Sequence, residues 1–223
     1  MFGCFLINNM LFNSFDFAIF FPIVFILYWF VVNRNLKLQN LFIVAASFVF
    51  YGWWDWRFLA LLFSSCVINY FIGRLLSVQE KKSNRKLLLV SAVVYNIGLL
   101  IVFKYLNFFI AGFSSAFSFL GFPISGSSLN IVLPVGISFF TFQALGYVIE
   151  VYRKNVEPTK DFITFAAFVS FFPLILAGPI ERATTLLPQF FTKRTFDYSK
   201  ATDGLRQILW GLFKKIVIAD NCA

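Results

Sequence analysis

Leu133-Pro134-Val135-Gly136-Ile137-Ser138-Phe139-Phe140-Thr141-Phe142-Gln143-Ala144-Leu145-Gly146-Tyr147-Val148-Ile149-Glu150-Val151-Tyr152 is an apolar run long enough for a helix and too long for an ordinary strand. Pro134 suits a first helical turn, where its missing N–H costs nothing. At about 100° per residue, Gly136, Phe140, Gln143, Tyr147 and Glu150 share one face. Gly136 and Gly146 predict close helix approach. A Gln and a Glu on a membrane helix are costly unless they meet partners or water. Two readings follow. This face is the wall of a polar cavity, or it makes interhelical hydrogen bonds, with Glu150 at the interface beside Arg153.

The same reading extends outward over the whole chain. Of 223 residues, 60% are hydrophobic, 34 are Phe and only 13% are charged. Mean hydropathy is +0.80. A soluble fold would leave far more apolar surface in water than soluble monomers tolerate. The runs are continuous rather than alternating, which favours membrane helices over a barrel. The expected fold is all-α, a polytopic helical membrane protein in one transmembrane domain over 1–223. Apolar spans are expected at about 15–32, 41–54, 58–72, 87–103, 133–152 and 162–176. Phe15–Val32 would rise about 27 Å, close to a bilayer core, and 41–54 only roughly 21 Å. Beyond 199 the pattern changes. Ser199 or Thr202 is the expected cap of an amphipathic helix over 199–219. Its apolar side carries Leu205, Ile208, Leu209, Leu212, Phe213, Ile216 and Val217.

Nineteen Lys and Arg against ten Asp and Glu give a net charge of +9. These bases sit between apolar runs and carry no base-reading motif, so nucleic acid is not an expected partner. The positive-inside rule makes loops 33–40 and 73–86 cytoplasmic and puts the N-terminus outside. The expected location is the cytoplasmic (inner) membrane, and the lipid bilayer is the first partner. Residues 106–122 are read as not crossing, which places the basic loop 153–161 on the cytoplasmic face too. Met10 reads as a natural start, making 1–9 an extension. Trp53, Trp54 and Trp56 read as interfacial anchors, and Lys104, Lys214 and Lys215 as snorkelling cations.

The catalytic inventory is short. The chain has no His, so a Ser-His-Asp arrangement within it is impossible. Cys4, Cys66 and Cys222 have no metal spacing, and neither a metal nor a bound cofactor is expected. Phe171-Phe172-Pro173-Leu174-Ile175-Leu176-Ala177-Gly178-Pro179-Ile180-Glu181-Arg182 joins Pro and Gly at membrane depth. Irregular backbone there is tolerated only when buried in protein or lining a cavity. It reads as a re-entrant element at a site, or as an interfacial turn. Ser138, Gln143, Tyr147, Gly178, Pro179 and Arg182 are the candidate cavity-lining groups.

In this order the segments resemble the membrane-bound O-acyltransferase family, in its alginate O-acetyltransferase-like branch. The resemblance rests on Tyr51-Gly52-Trp53-Trp54, on Phe103-Lys104-Tyr105-x-Asn107-Phe108, and on the Leu133–Gln143 and Tyr147–Arg153 stretches. Phe172-Pro173-x-x-x-Ala177-Gly178-Pro179-Ile180-x-Arg182 and Lys214-Lys215-x-x-Ile218-Ala219-Asp220 continue it. It implies the front half of a larger helical funnel. It also implies transfer of an acetyl or similar acyl group across the membrane to hydroxyls of an exported polysaccharide. The donor would be acetyl-CoA or an acyl carrier, used as substrate, and a downstream acyl-transfer protein is an alternative acceptor. The family's catalytic His lies in the second half, so the resemblance assigns no catalytic residue here and implies that this chain alone is inactive. The competing readings are a non-catalytic membrane scaffold or a transporter component. The absence of an internal repeat weighs against the latter.

Overall fold

The computed structural model describes residues 10–106, 108, 134–176 and 178–222, and among these there is no strand. The expectations for 1–9, Cys4, most of 106–122 and the following loop fall outside these residues.

Helix α1 is Phe15–Ile26, continuing as a wider π turn over Leu27–Val31. Ser14 Oγ caps it by accepting from Phe17 N (3.2 Å). Helix α2 is Leu36–Trp54, five residues longer than the apolar run 41–54. The backbone starts earlier because Asn35 Oδ1 accepts from Lys37 N (2.9 Å) and caps it. The added turn brings the rise to about 28 Å, enough to cross. Asp55 Oδ1 accepts from Arg57 N (2.9 Å) and turns the chain, through a 3-10 turn at Trp56–Phe58, into α3, Leu59–Val78. Helix α4 is Lys82–Leu100, with a π turn at Ile101–Tyr105. The basic loop expected at 73–86 is therefore mostly helix. Only Gln79–Lys81 lies between α3 and α4.

Helix α5 is Ile137–Tyr152 and begins four residues later than expected. Gly136 is its cap rather than a member of its face, with φ 73°. A β-carbon at Gly136 would lie 2.6 Å from Ile175 O, so both the angle and the space require glycine. Helix α6, Phe162–Ser170, and α7, Phe172–Ile175, divide the run expected as one span over 162–176. The break at Phe171 frees Phe172 N, which donates to Ser47 Oγ (3.2 Å). Helix α8 is Ala183–Leu186. Helix α9 is Tyr198–Phe213, capped by Asp197 rather than by Ser199 or Thr202, and it continues through a π turn over Lys214–Ala219. None of its residues is buried.

Three of these helices are long and apolar enough to cross a membrane: Leu36–Trp54, Trp56–Val78 and Lys82–Tyr105. Phe15–Val31, Ile137–Tyr152 and Phe162–Ile175 are shorter and apolar. The core lies where α3 meets α4 and α5 and where α2 meets α6, around Leu62, Leu76, Phe140, Val148, Phe165 and Phe168. The outer face of α4 presents Leu87, Val90 and Val94 outward. Lipid is as apolar as these side chains, so close packing and polar ties hold the helices together, not hydrophobic exclusion.

The ties are specific. Asn69 Nδ2 donates to Asn96 Oδ1 (3.2 Å) and Asn96 Nδ2 returns to Asn69 Oδ1 (2.8 Å). Ser64 Oγ and Tyr95 Oη share a second bond across the α3–α4 seam (2.9 Å). Arg85 Nη1 donates to Leu76 O (2.5 Å) and Nη2 to Tyr152 O (2.9 Å). One cation thus satisfies carbonyls at the ends of α3 and α5, where the helix dipoles favour it. Close approach occurs at Gly73, where a β-carbon would lie 2.7 Å from the Tyr147 ring. Gly146, expected to serve that purpose, has open space.

A further network joins α1, α2 and α6. Arg194 Nη1 donates to Tyr28 Oη (2.6 Å) and Nη2 to Asn40 Oδ1 (2.6 Å). Asn40 Nδ2 donates to Thr164 Oγ1 (3.1 Å) and Phe190 O (2.9 Å), and Thr164 Oγ1 to Asp161 Oδ2 (2.6 Å). The end of α1 and the starts of α2 and α6 therefore gather at one end of the bundle. Tyr70 Oη, which donates to Lys160 O (2.7 Å), joins the lower part of α3 to that same end.

Candidate functional site

The break after α6 folds back against the first half of α5. Gly178 N donates to Leu174 O (3.1 Å), which turns the chain so that Pro179 and Ile180 face α5. Between them is a hollow of about 10 Å³ lined by Gln143, Phe139, Leu174, Ile175 and Pro179 among others. That is close to the least space one water needs. Gln143 is 6% exposed, and among the described residues its Nε2 has no hydrogen-bond acceptor. A buried amide donor left open in this way is expensive, and its natural partner is a polar group entering from the hollow.

Two more polar atoms on or against this half of α5 are likewise unpaired. Among the described residues, fully buried Thr141 Oγ1 and buried Tyr51 Oη have no partner. The Tyr51 ring stands edge-on to Phe140 at 6.2 Å. Neither Thr141 nor Tyr51 was among the sequence candidates as a polar group. A hydroxyl inside an apolar helix was the available signal.

The candidates divide. Gln143 and Pro179 come together at the hollow, while Gly178 makes the turn beside it without lining it. Tyr147 does not join them. It is fully buried one turn further along, with its ring 4.6 Å from Phe165 and its Oη accepting from Thr159 N (3.1 Å). Ser138 is half-buried in the first turn of α5, outside the hollow's lining. Arg182 is exposed and flanks α8, its carbonyl accepting from Thr185 N (3.0 Å). Glu150 does not pair with Arg153. Its Oε2 accepts from Asn155 Nδ2 (2.8 Å). Lys104 lies over the Tyr105 ring (5.5 Å) and Lys214 over Trp210 (5.3 Å), while Lys215 pairs with Asp220.

The helices and this hollow define a polytopic helical membrane protein that turns polar side chains into its own bundle. No family model matches the chain, and no solved structure matches it. Curated relatives do. The chain is 37% identical over 190 residues to the probable alginate O-acetylase AlgI of Pseudomonas aeruginosa, covering 84% of this chain and 36% of that protein. It is 36% identical over 208 residues to the protein of the same name in Pseudomonas putida, covering 92% and 41%. It is 34% identical over 244 residues to the peptidoglycan O-acetyltransferase of Helicobacter pylori, covering 96% and 45%. The chain thus spans less than half the length of each, matching their N-terminal region. Those relatives are members of the membrane-bound O-acyltransferase family, and the chain is similar to them over that region.

Proposed function

We propose that this chain is the N-terminal part of a membrane-bound O-acyltransferase that carries an acetyl or similar acyl group across the membrane to hydroxyls of an exported polysaccharide. The observation that carries this reading is its 34–37% identity to proteins named as O-acetylases of alginate and O-acetyltransferases of peptidoglycan. The unpaired Gln143 amide at the re-entrant break supports it. Acyl transfer to a hydroxyl needs a base for the proton and donors for the developing oxyanion. This chain has no His to act as that base. Its part is to build the wall. Gln143 offers an N–H to an oxygen entering the hollow, and Pro179, Leu174 and Ile175 keep that oxygen away from lipid and bulk water. The donor, acetyl-CoA or an acyl carrier, approaches from the cytoplasmic face. The polysaccharide, or a downstream acyl-transfer protein, waits outside.

The sidedness is part of the proposal: inner membrane, N-terminus outside, and the α3–α4 turn in the cytoplasm. Arg85 and Lys160, from the basic segments 73–86 and 153–161, meet the ends of α3 and α5 and Tyr70 at one end of the bundle, as the positive-inside rule requires. On a cysteine-free background, Lys82→Cys should resist a membrane-impermeant maleimide in whole cells and Trp56→Cys should react. The reverse pattern contradicts the orientation. Function is tested by deleting the full-length gene and measuring acetyl esters on the exported polymer by NMR. Esters should disappear and return with the full-length gene, while the purified 223-residue chain should show no turnover. Unchanged esters, or turnover by the chain itself, contradict the reading.

A further inference from the structure

We propose that the cleft between α1, α2 and the 171–194 segment holds one acyl chain of an anionic phospholipid, with its phosphate on Arg194. The inference rests on membrane embedding and not on the acyl transfer proposed above, so either can fail without the other.

The cleft measures about 330 Å³, at the small end of ligand sites of about 300–1,000 Å³. Its walls are apolar: Val24, Phe25 and Trp29 from α1, Ile43 from α2, and Pro173 and Leu186 opposite. Arg194 stands at its edge, its guanidinium over the Phe190 ring at 5.0 Å and beside Tyr28 at 5.9 Å. Of the five N–H groups of a guanidinium, three are used, on Gln189 O (3.2 Å), Tyr28 Oη and Asn40 Oδ1. That leaves one N–H on each terminal nitrogen, and charge-assisted N–H donors of this kind bind phosphate oxygens.

All three acceptors are neutral, and among the described residues no carboxylate lies within ion-pair distance of Arg194. Asp161 is separated from it by Thr164 and Asn40. A cation held by neutral groups beside an apolar cleft calls for an anion carrying an apolar tail. Arg34, Lys37 and Lys193 lie in the adjoining segments, and such basic ends attract anionic headgroups.

The test uses full-length protein purified in mild detergent, with native mass spectrometry after titration with phosphatidylglycerol or phosphatidylcholine. The wild type should retain one phosphatidylglycerol and not phosphatidylcholine. Arg194→Gln should weaken retention about tenfold or more, the loss expected for a charge-assisted pair. Val24→Trp fills the cleft and leaves Arg194 in place, and it should weaken retention as well. This second variant carries the test if Arg194→Gln does not fold. Glycerol phosphate, a headgroup without chains, should not displace the lipid at equal concentration. Equal retention of the two lipids by the wild type, unchanged retention in the folded variants, or displacement by glycerol phosphate would each overturn the proposal.

Discussion

Asn69 and Asn96 close on each other across the α3–α4 seam, whereas Gln143 on α5 leaves its amide donor open beside Pro179. Both sites place amides inside an apolar bundle, where an unpaired polar group is expensive. At the seam each side chain also reaches back to its own helix: Asn69 to Ser65 O (2.9 Å) and Asn96 to Ala92 O (2.8 Å). Nothing there is left to bind anything. On or against the first half of α5, Gln143, Thr141 and Tyr51 each have an atom without a partner among the described residues. The contrast sets amides that hold helices together against an amide that, under the proposed function, is left for an entering oxygen.

Substitutions can break or sharpen this contrast. The largest effect is expected at the hinge that shapes the open site. Gly136→Val forces a β-branched residue to positive φ and drives its β-carbon against Ile175 O, and should cost about 3 kcal/mol or more. Thermal unfolding of the full-length protein in detergent reads it, and an unchanged midpoint would mean the α5 entry is not so tightly held. Arg85→Met removes the cation that caps two helix ends and should cost about 1.5–3 kcal/mol in the same assay. The seam itself is read by a double-mutant cycle. Asn69→Leu or Asn96→Leu alone strands the partner amide and should cost about 1–2 kcal/mol, with the double variant losing less than the sum. Strict additivity would show that the amides do not depend on each other. The smallest stability effect belongs to Gln143→Leu, which removes an unpaired donor and should change stability by less than about 1 kcal/mol, in the stabilising direction.

Long apolar runs broken by basic segments make the all-α membrane class legible in the sequence, because hydropathy over a helix length leaves few alternatives. Helix ends are less legible. Hydropathy falls where Lys37, Gln39 and Asn40 begin and where Arg74 and Ser77 follow, but the helices run on through them. Asn35 caps one such turn, and Arg85 satisfies carbonyls beyond another. The late start of α5 depends on Ile175, 39 residues beyond Gly136, which no local pattern around Gly136 encodes. The site is half legible. Gln143 and the Pro-Gly break stand out as polar or irregular features in apolar surroundings, and they do meet. Tyr147 shares a helical face with Gln143, but Gly73 and Thr159 draw it into the core. Arg194 lies in a polar stretch where nothing marks it apart from its neighbours. Its role comes from Tyr28 and Asn40, both far away in the chain.

The most direct measurement pairs stability with function in one variant. Gln143→Leu is introduced into the full-length protein, and both the unfolding midpoint and the acetyl content of the exported polymer are read. An unchanged or higher midpoint together with a marked fall in acetylation is the expected result. A lower midpoint with acetylation intact would contradict it, because Gln143 would then be one more structural tie like Asn69 and Asn96.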